Sequence, residues 1–99
     1  MALTPEARVK AGIRKWLTKN GFWFYSPVSN GMGVHGIPDF VCVKNGHAVF
    51  IEAKAPGKLN NVSELQKIQI AALREAGATV VVIDDPGKLD EILWEFVYE

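Results

Sequence analysis

The sequence predicts an α/β fold in the order α-β-β-β-α-β-α, a mixed central sheet flanked by helices. Three observations carry this. Asn45-Gly46 lies between two short apolar runs, the strongest local hairpin signal, because both central residues of a type I′ turn need φ > 0. Thr4-Pro5 and Ser63-x-x-Gln66 each open a stretch with apolar residues at helical spacing. The β-branched run Thr79-Val80-Val81-Val82-Ile83 follows the second of these, as expected of a buried strand reached through a crossover helix and parallel to an earlier one.

In chain order, Thr4 is the N-cap of the first helix and Pro5 its N1 residue, where the missing N–H costs nothing. Val9, Ile13, Trp16 and Leu17 form its apolar stripe, and Asn20-Gly21 ends it. Glu6 is expected on that stripe. The aromatic run Phe22-Trp23-Phe24-Tyr25 has no polar face and reads as a strand buried on both sides, either within the domain or in a dimer contact. Ser26 to Gly36 is a flexible, glycine-rich loop, followed by the strands Phe40–Val43 and Ala48–Ile51. Past a polar turn around Pro56-Gly57, Ser63 caps the second helix, whose apolar side is Leu65, Ile68, Ala72, Leu73 and Ala76, with Gly77 as its stop. Gln69 falls inside that stripe, an odd place for an amide without a buried partner. Asp85-Pro86 opens the last helix, with Leu89, Ile92, Leu93 and Phe96 on its apolar face and Trp94 and Tyr98 off it. Spare aromatics on a terminal helix of a small domain suggest a partner surface.

The 99 residues are expected to form one domain with one core. No apolar run approaches the length of a membrane span and no signal-peptide pattern precedes the first helix, so an intracellular protein without membrane contact is expected. The single cysteine, Cys42, excludes an internal disulfide and sits in an apolar strand as a small buried hydrophobe. A net charge of zero gives no overall support for nucleic-acid binding, but the charge is unevenly placed. Arg8, Lys10, Arg14, Lys15 and Lys19 crowd the first helix, whereas the last sixteen or so residues are acidic. Such polarity permits a basic DNA-facing surface on a neutral protein, and equally head-to-tail self-association.

Chemistry concentrates at one end of the hairpin. Counting outward from a two-residue loop sets Lys44 opposite His47, Val43 opposite Ala48, Cys42 opposite Val49, Val41 opposite Phe50 and Phe40 opposite Ile51. The next rung pairs Asp39 with Glu52. Opposed residues share a face, and alternation returns Lys54 to it. Like charges directly opposed destabilise a sheet, so a compensating cation is called for, and Mg²⁺ is held by carboxylates of this kind. The alternative is a sheet edge with two solvated acids, one paired by the lysine.

Pro38-Asp39 followed by Glu52-Ala53-Lys54 resembles the PD-(D/E)xK nuclease signature, and Gly36-Ile37-Pro38-Asp39 with Ile51-Glu52-Ala53-Lys54 is most similar to its VRR-Nuc branch, over about Thr4 to Asp84. The resemblance implies a restriction-endonuclease-like core and a Mg²⁺- or Mn²⁺-dependent endonuclease acting on DNA. Asp39 and Glu52 are then metal ligands, joined by the Ala53 carbonyl and by Glu6, the only acid of the first helix. Lys54 is the catalytic lysine, and Gln66 matches the glutamine that the family places early in the second helix; Gln69 is kept beside it for its position in the apolar stripe. Arg8, Lys10, Arg14, Lys15 and Lys58 are candidates for phosphate-backbone contacts, and His35 either contacts phosphate or is a solvated loop residue. Stand-alone domains of this type are similar to Holliday-junction resolvases, which implies branched DNA as substrate and a homodimer. A flap, nick or duplex nuclease of the same chemistry, or a non-catalytic DNA-binding module, are the alternatives.

Overall fold

The computed structural model describes residues 2–28 and 35–97. Helix α1 (Pro5–Lys19) is followed by strands β1 (Trp23–Tyr25), β2 (Phe40–Lys44) and β3 (His47–Ala53), helix α2 (Glu64–Glu75) and strand β4 (Thr79–Ile83). A 3₁₀ turn (Pro86–Lys88) and two short helices, α3 (Leu89–Ile92) and α4 (Trp94–Val97), end the described chain. The strands form one sheet in sequence order, antiparallel from β1 to β3 and parallel between β3 and β4. The predicted order and mixed sheet are thus both present. Much of the glycine-rich loop (residues 29–34) and Tyr98 lie outside the described residues.

The hairpin register is the one counted from the sequence, from Lys44↔His47 to Phe40↔Ile51. Its turn has Asn45 at φ 50° and Gly46 at φ 81°, the left-handed pair that a type I′ turn demands. One sheet face carries Phe40, Cys42, Val49, Ile51, Ala53 and Ile83, all fully buried against Val9, Ile13, Trp16 and Leu17 of α1 and against Leu89, Leu93 and Phe96. Thr4 Oγ1 caps α1 by accepting from the Ala7 N–H at 3.2 Å, and the Trp16 indole donates to Asp90 at 2.8 Å, tying α1 to the C-terminal helices. Burial pushes the Cys42 thiol up to about 12, as expected of an inert core cysteine.

Four local expectations are corrected. The first concerns β1, which is an edge strand rather than a strand buried on both sides. Phe22 and Phe24 turn toward the core, whereas Trp23 and Tyr25 point outward, 61% and 50% exposed, with their rings edge to face at 5.6 Å. An aromatic run shows no polar face, yet at a sheet edge only one of its faces has a layer to meet.

The second concerns α2, which is rotated relative to its expected apolar side. Ile70 is its buried residue, with Gln66, Gln69 and Leu73 partly covered, while Leu65 and Ile68 are 54% and 60% exposed. Gln66 and Ile70 are one turn apart and face the sheet together. Reach of the Gln66 amide into the hairpin end, described below, fixes that rotation.

The third concerns the C-terminus, where the expected single helix is broken at Leu93 (φ −110°, ψ 22°). The break lets Leu89, Leu93 and Phe96 all reach the core while Ile92 stays 43% exposed. Glu6 also departs from its expected place, lying exposed at the flank of the α1 stripe.

Candidate active site

The hairpin ladder ends at Phe40↔Ile51, and a side chain makes its next bond. Asp39 Oδ2 accepts from the Ala53 N–H at 2.8 Å, which sets the Asp39 carboxylate beside Glu52, although the two residues do not themselves form the expected rung of the ladder. β3 then hands Lys54 to the same end, where its backbone N–H donates to the Ile83 carbonyl of β4 at 2.8 Å. Neither Glu52 nor Lys54 is a solvated edge residue; they are only 4% and 7% exposed.

Helix α2 completes the cluster through Gln66. Its Nε2 donates to Glu52 Oε2 at 2.7 Å and its Oε1 accepts from Lys54 Nζ at 3.0 Å. The same Oε1 accepts from the Ser63 N–H at 2.9 Å, while Ser63 Oγ accepts from the Gln66 N–H at 3.1 Å. The sequence-predicted capping box is therefore also the amide of the site. Gln69, one turn along, is partly covered and makes neither bond to Glu52 or Lys54. Lys54 Nζ lies 3.3 Å from Glu52 Oε2, and Glu52 Oε1 is buried with no hydrogen-bond partner. Burial, reinforced by the neighbouring Asp39 charge and opposed by Lys54, raises Glu52 from its ordinary 4.5 to about 7.

These donors fit a hard divalent cation. Asp39 and Glu52 supply carboxylate oxygens, one of them an orphaned buried acceptor, the ligand chemistry of Mg²⁺ or Mn²⁺. Glu6 is not gathered with them; among the described residues no three His, Cys, Asp or Glu side chains form a group able to hold a metal ion. Between Glu6 and Asp39 stands Lys10, its Nζ 3.3 Å from Asp39 Oδ1 and 3.8 Å from Glu6 Oε2. Nothing in the sequence marked Lys10 as part of the cluster, except that it follows Glu6 by one helical turn.

The other candidates are more dispersed. Glu6, Lys10 and Arg14 recur at four-residue intervals on one flank of α1, and the Arg14 guanidinium lies over the Phe40 ring, 5.4 Å from its centroid. Arg8 and Lys15, seven residues apart, are exposed on a different face, so the basic helix does not present one surface. Arg8 lines a cleft of about 440 Å³ with Pro5, Pro56, Asp84, Pro86 and Lys88. Lys58 is exposed on the turn after the site. That turn is held by Asp84, which accepts from the Gly57 N–H at 3.0 Å and from Lys88 Nζ at 2.8 Å. The sequence reading missed this role of Asp84, for which its place one residue past a buried strand was the available signal. His35 is exposed next to Gly36, whose backbone runs against the first turn of α2 at Leu65.

Comparison with known proteins bears on the fold. No curated protein matches the chain. A solved structure described as a VRR_NUC domain superposes with a TM-score of 0.72 at 22% identity, over 95% of this chain and 99% of that one, and so shares its fold. The family model of the VRR-NUC domain matches residues 5–84, which span α1 through β4 and every residue of the cluster. With that match covering about four fifths of its length, the chain belongs to the VRR-NUC domain family, whose fold is of the nuclease type.

Proposed function

We propose that the protein is a metal-dependent DNA endonuclease, active on branched DNA such as four-way junctions and working as a homodimer. The observation that carries this is the buried Glu52–Lys54 pair bridged by Gln66 beside the half-buried Asp39, with one Glu52 oxygen left without a partner. A domain that merely retained the fold would have no use for a buried carboxylate and ammonium held in one network, since such groups are costly to desolvate.

Asp39 and Glu52 would hold the cation together with the Ala53 carbonyl, and Glu6, which stands beyond Lys10, would reach it only through water. Mg²⁺ or Mn²⁺ bound there supplies Lewis-acid polarisation of the scissile phosphate and a more acidic attacking water. Lys54 orients that water and donates to the phosphate oxygen on which charge grows in the transition state. Gln66 holds the ammonium in place through Oε1 and keeps the Glu52 carboxylate from rotating through Nε2. Arg14, Lys58 and His35 contact the phosphate backbone without reading sequence, whereas Arg8 and Lys15, on another face of α1, stand apart from that surface. Gln69 plays a supporting part at most.

Paired cuts in a junction need two active sites related by symmetry. Trp23, Tyr25 and Val43 form an exposed apolar patch at the open sheet edge, and Trp94 is 59% exposed, which supports assembly through aromatic surfaces. Among the described residues no helix is long and apolar enough to cross a membrane.

The test is cleavage of four-way junction, flap, nicked and linear duplex DNA side by side with Mg²⁺ or Mn²⁺, using wild type, Asp39→Asn and Lys54→Ala. Paired junction cuts abolished in both variants are expected. Equal cutting of all substrates would remove the junction preference. Tight DNA binding without cleavage under either metal would leave a binding module.

A further inference from the structure

Lys10 was expected to meet DNA phosphate, yet its ammonium sits at the carboxylates. Asp39 has two oxygens with separate tasks. Oδ2 accepts from the Ala53 N–H at 2.8 Å, which leaves Oδ1 as the oxygen more open to a cation. That oxygen is the one Lys10 Nζ approaches, at 3.3 Å, while Glu6 Oε2 lies 3.8 Å from the same ammonium. The pair is partly covered, with side chains 31% and 25% exposed, so it is neither a freely solvated ion pair nor locked in the core. Lys54 serves other oxygens, those of Gln66 and Glu52.

We propose that Lys10 is a built-in counter-ion that holds Asp39 Oδ1 in the metal-free protein and must be displaced for the divalent cation to bind. This rests on Asp39 and Glu52 being the metal ligands. Two neighbouring carboxylates repel each other, and the ammonium relieves that repulsion until a divalent cation does so more strongly. The lysine is suited to exchange because its point charge sits on a flexible four-carbon stem anchored on α1, a helix separate from the strands that carry the carboxylates. Leaving Asp39, the ammonium swings on that stem while Glu6 and Arg14 remain its neighbours on the α1 flank. Lys10 thereby sets the cation concentration at which the site fills, and it is a positioning residue rather than a catalytic one.

The experiment is calorimetric titration of MnCl₂ into the full chain without DNA, comparing wild type, Lys10→Met, Lys10→Arg, Lys15→Met and Asp39→Asn. Removing a competing, partly exposed ion pair is expected to tighten Mn²⁺ binding about three- to five-fold in Lys10→Met. Lys10→Arg stays near wild type, and so does Lys15→Met, which removes the same charge from a distant face of the same helix. Unchanged or weaker binding in Lys10→Met, or equal tightening in Lys15→Met, overturns the proposal. Asp39→Asn reports separately on the underlying assignment: if it binds Mn²⁺ as wild type does, the metal ligands themselves are wrong. Thermal melting in chelator provides a second reading that survives a poorly behaved variant. There Lys10→Gln melts below wild type, and added Mn²⁺ raises its melting temperature by more than it raises that of wild type; an equal rise in both overturns the exchange.

Discussion

Gln66 donates to Glu52 at 2.7 Å with the same side-chain amide that closes the N-terminal cap of α2. Helix initiation and the geometry of the acidic cluster therefore share one residue. Ser63→Ala removes the hydroxyl that accepts from the Gln66 N–H, with an expected loss of about 1 kcal/mol of stability. Gln66→Ala is expected to cost more, because it strips the cap and leaves Glu52 and Lys54 without their bridge. Urea denaturation of the two variants and of the double variant would show whether their effects fall short of additivity, as a shared unit requires.

The metal-free protein should lose stability as pH rises through neutrality. Glu52 is held at about 7 in the folded chain against its ordinary 4.5, chiefly by burial, so the folded state binds the extra proton. Its contribution is fully present below about pH 4.5 and is lost as pH rises through about 7, a penalty on the order of 3 kcal/mol. Melts in chelator from pH 5 to 8.5 should show the decline, and Glu52→Gln should flatten it.

Gly36 has no tolerance for a side chain. Its φ is +83°, and an added Cβ would stand 2.5 Å from the Leu65 carbonyl oxygen in the first turn of α2. Gly36→Ala is expected to cost about 2 kcal/mol or more by denaturant melt. Because the contact is with the turn carrying Gln66, cleavage should fall further than the stability loss alone explains.

Trp23 and Tyr25 offer a way to separate assembly from folding. Both rings are at least half exposed, so Trp23→Ser with Tyr25→Ser should leave the circular dichroism spectrum in place while weakening a homodimer at least about ten-fold. Sedimentation equilibrium would measure this, and an unchanged dissociation constant would exclude the β1 edge as the contact.

The hairpin was readable because its determinants are local: Asn45-Gly46 fixes the turn, the turn fixes the register, and the register brings Asp39 to Glu52. Capping at Thr4 and Ser63 was readable for the same reason. What the sequence obscured depends on neighbours distant along the chain. Leu65 and Ile68 look like a core face by spacing, but the rotation of α2 answers to Glu52 and Lys54, residues of another element. The aromatic run at β1 cannot announce that it lies at an edge. Lys10 reads as one more surface cation of a basic helix until the Asp39 oxygen stands beside it.

The side-chain bond that ends the hairpin ladder decides how an inactive version of this protein ought to be made. Asparagine at position 39 keeps an oxygen able to accept from the Ala53 N–H, so it removes the charge and spares the strand pairing. Alanine there strands that amide, at a cost of about 1–3 kcal/mol if it stays dry, and unravels the hairpin end as well. A null phenotype from the first isolates chemistry; from the second it confounds chemistry with fraying.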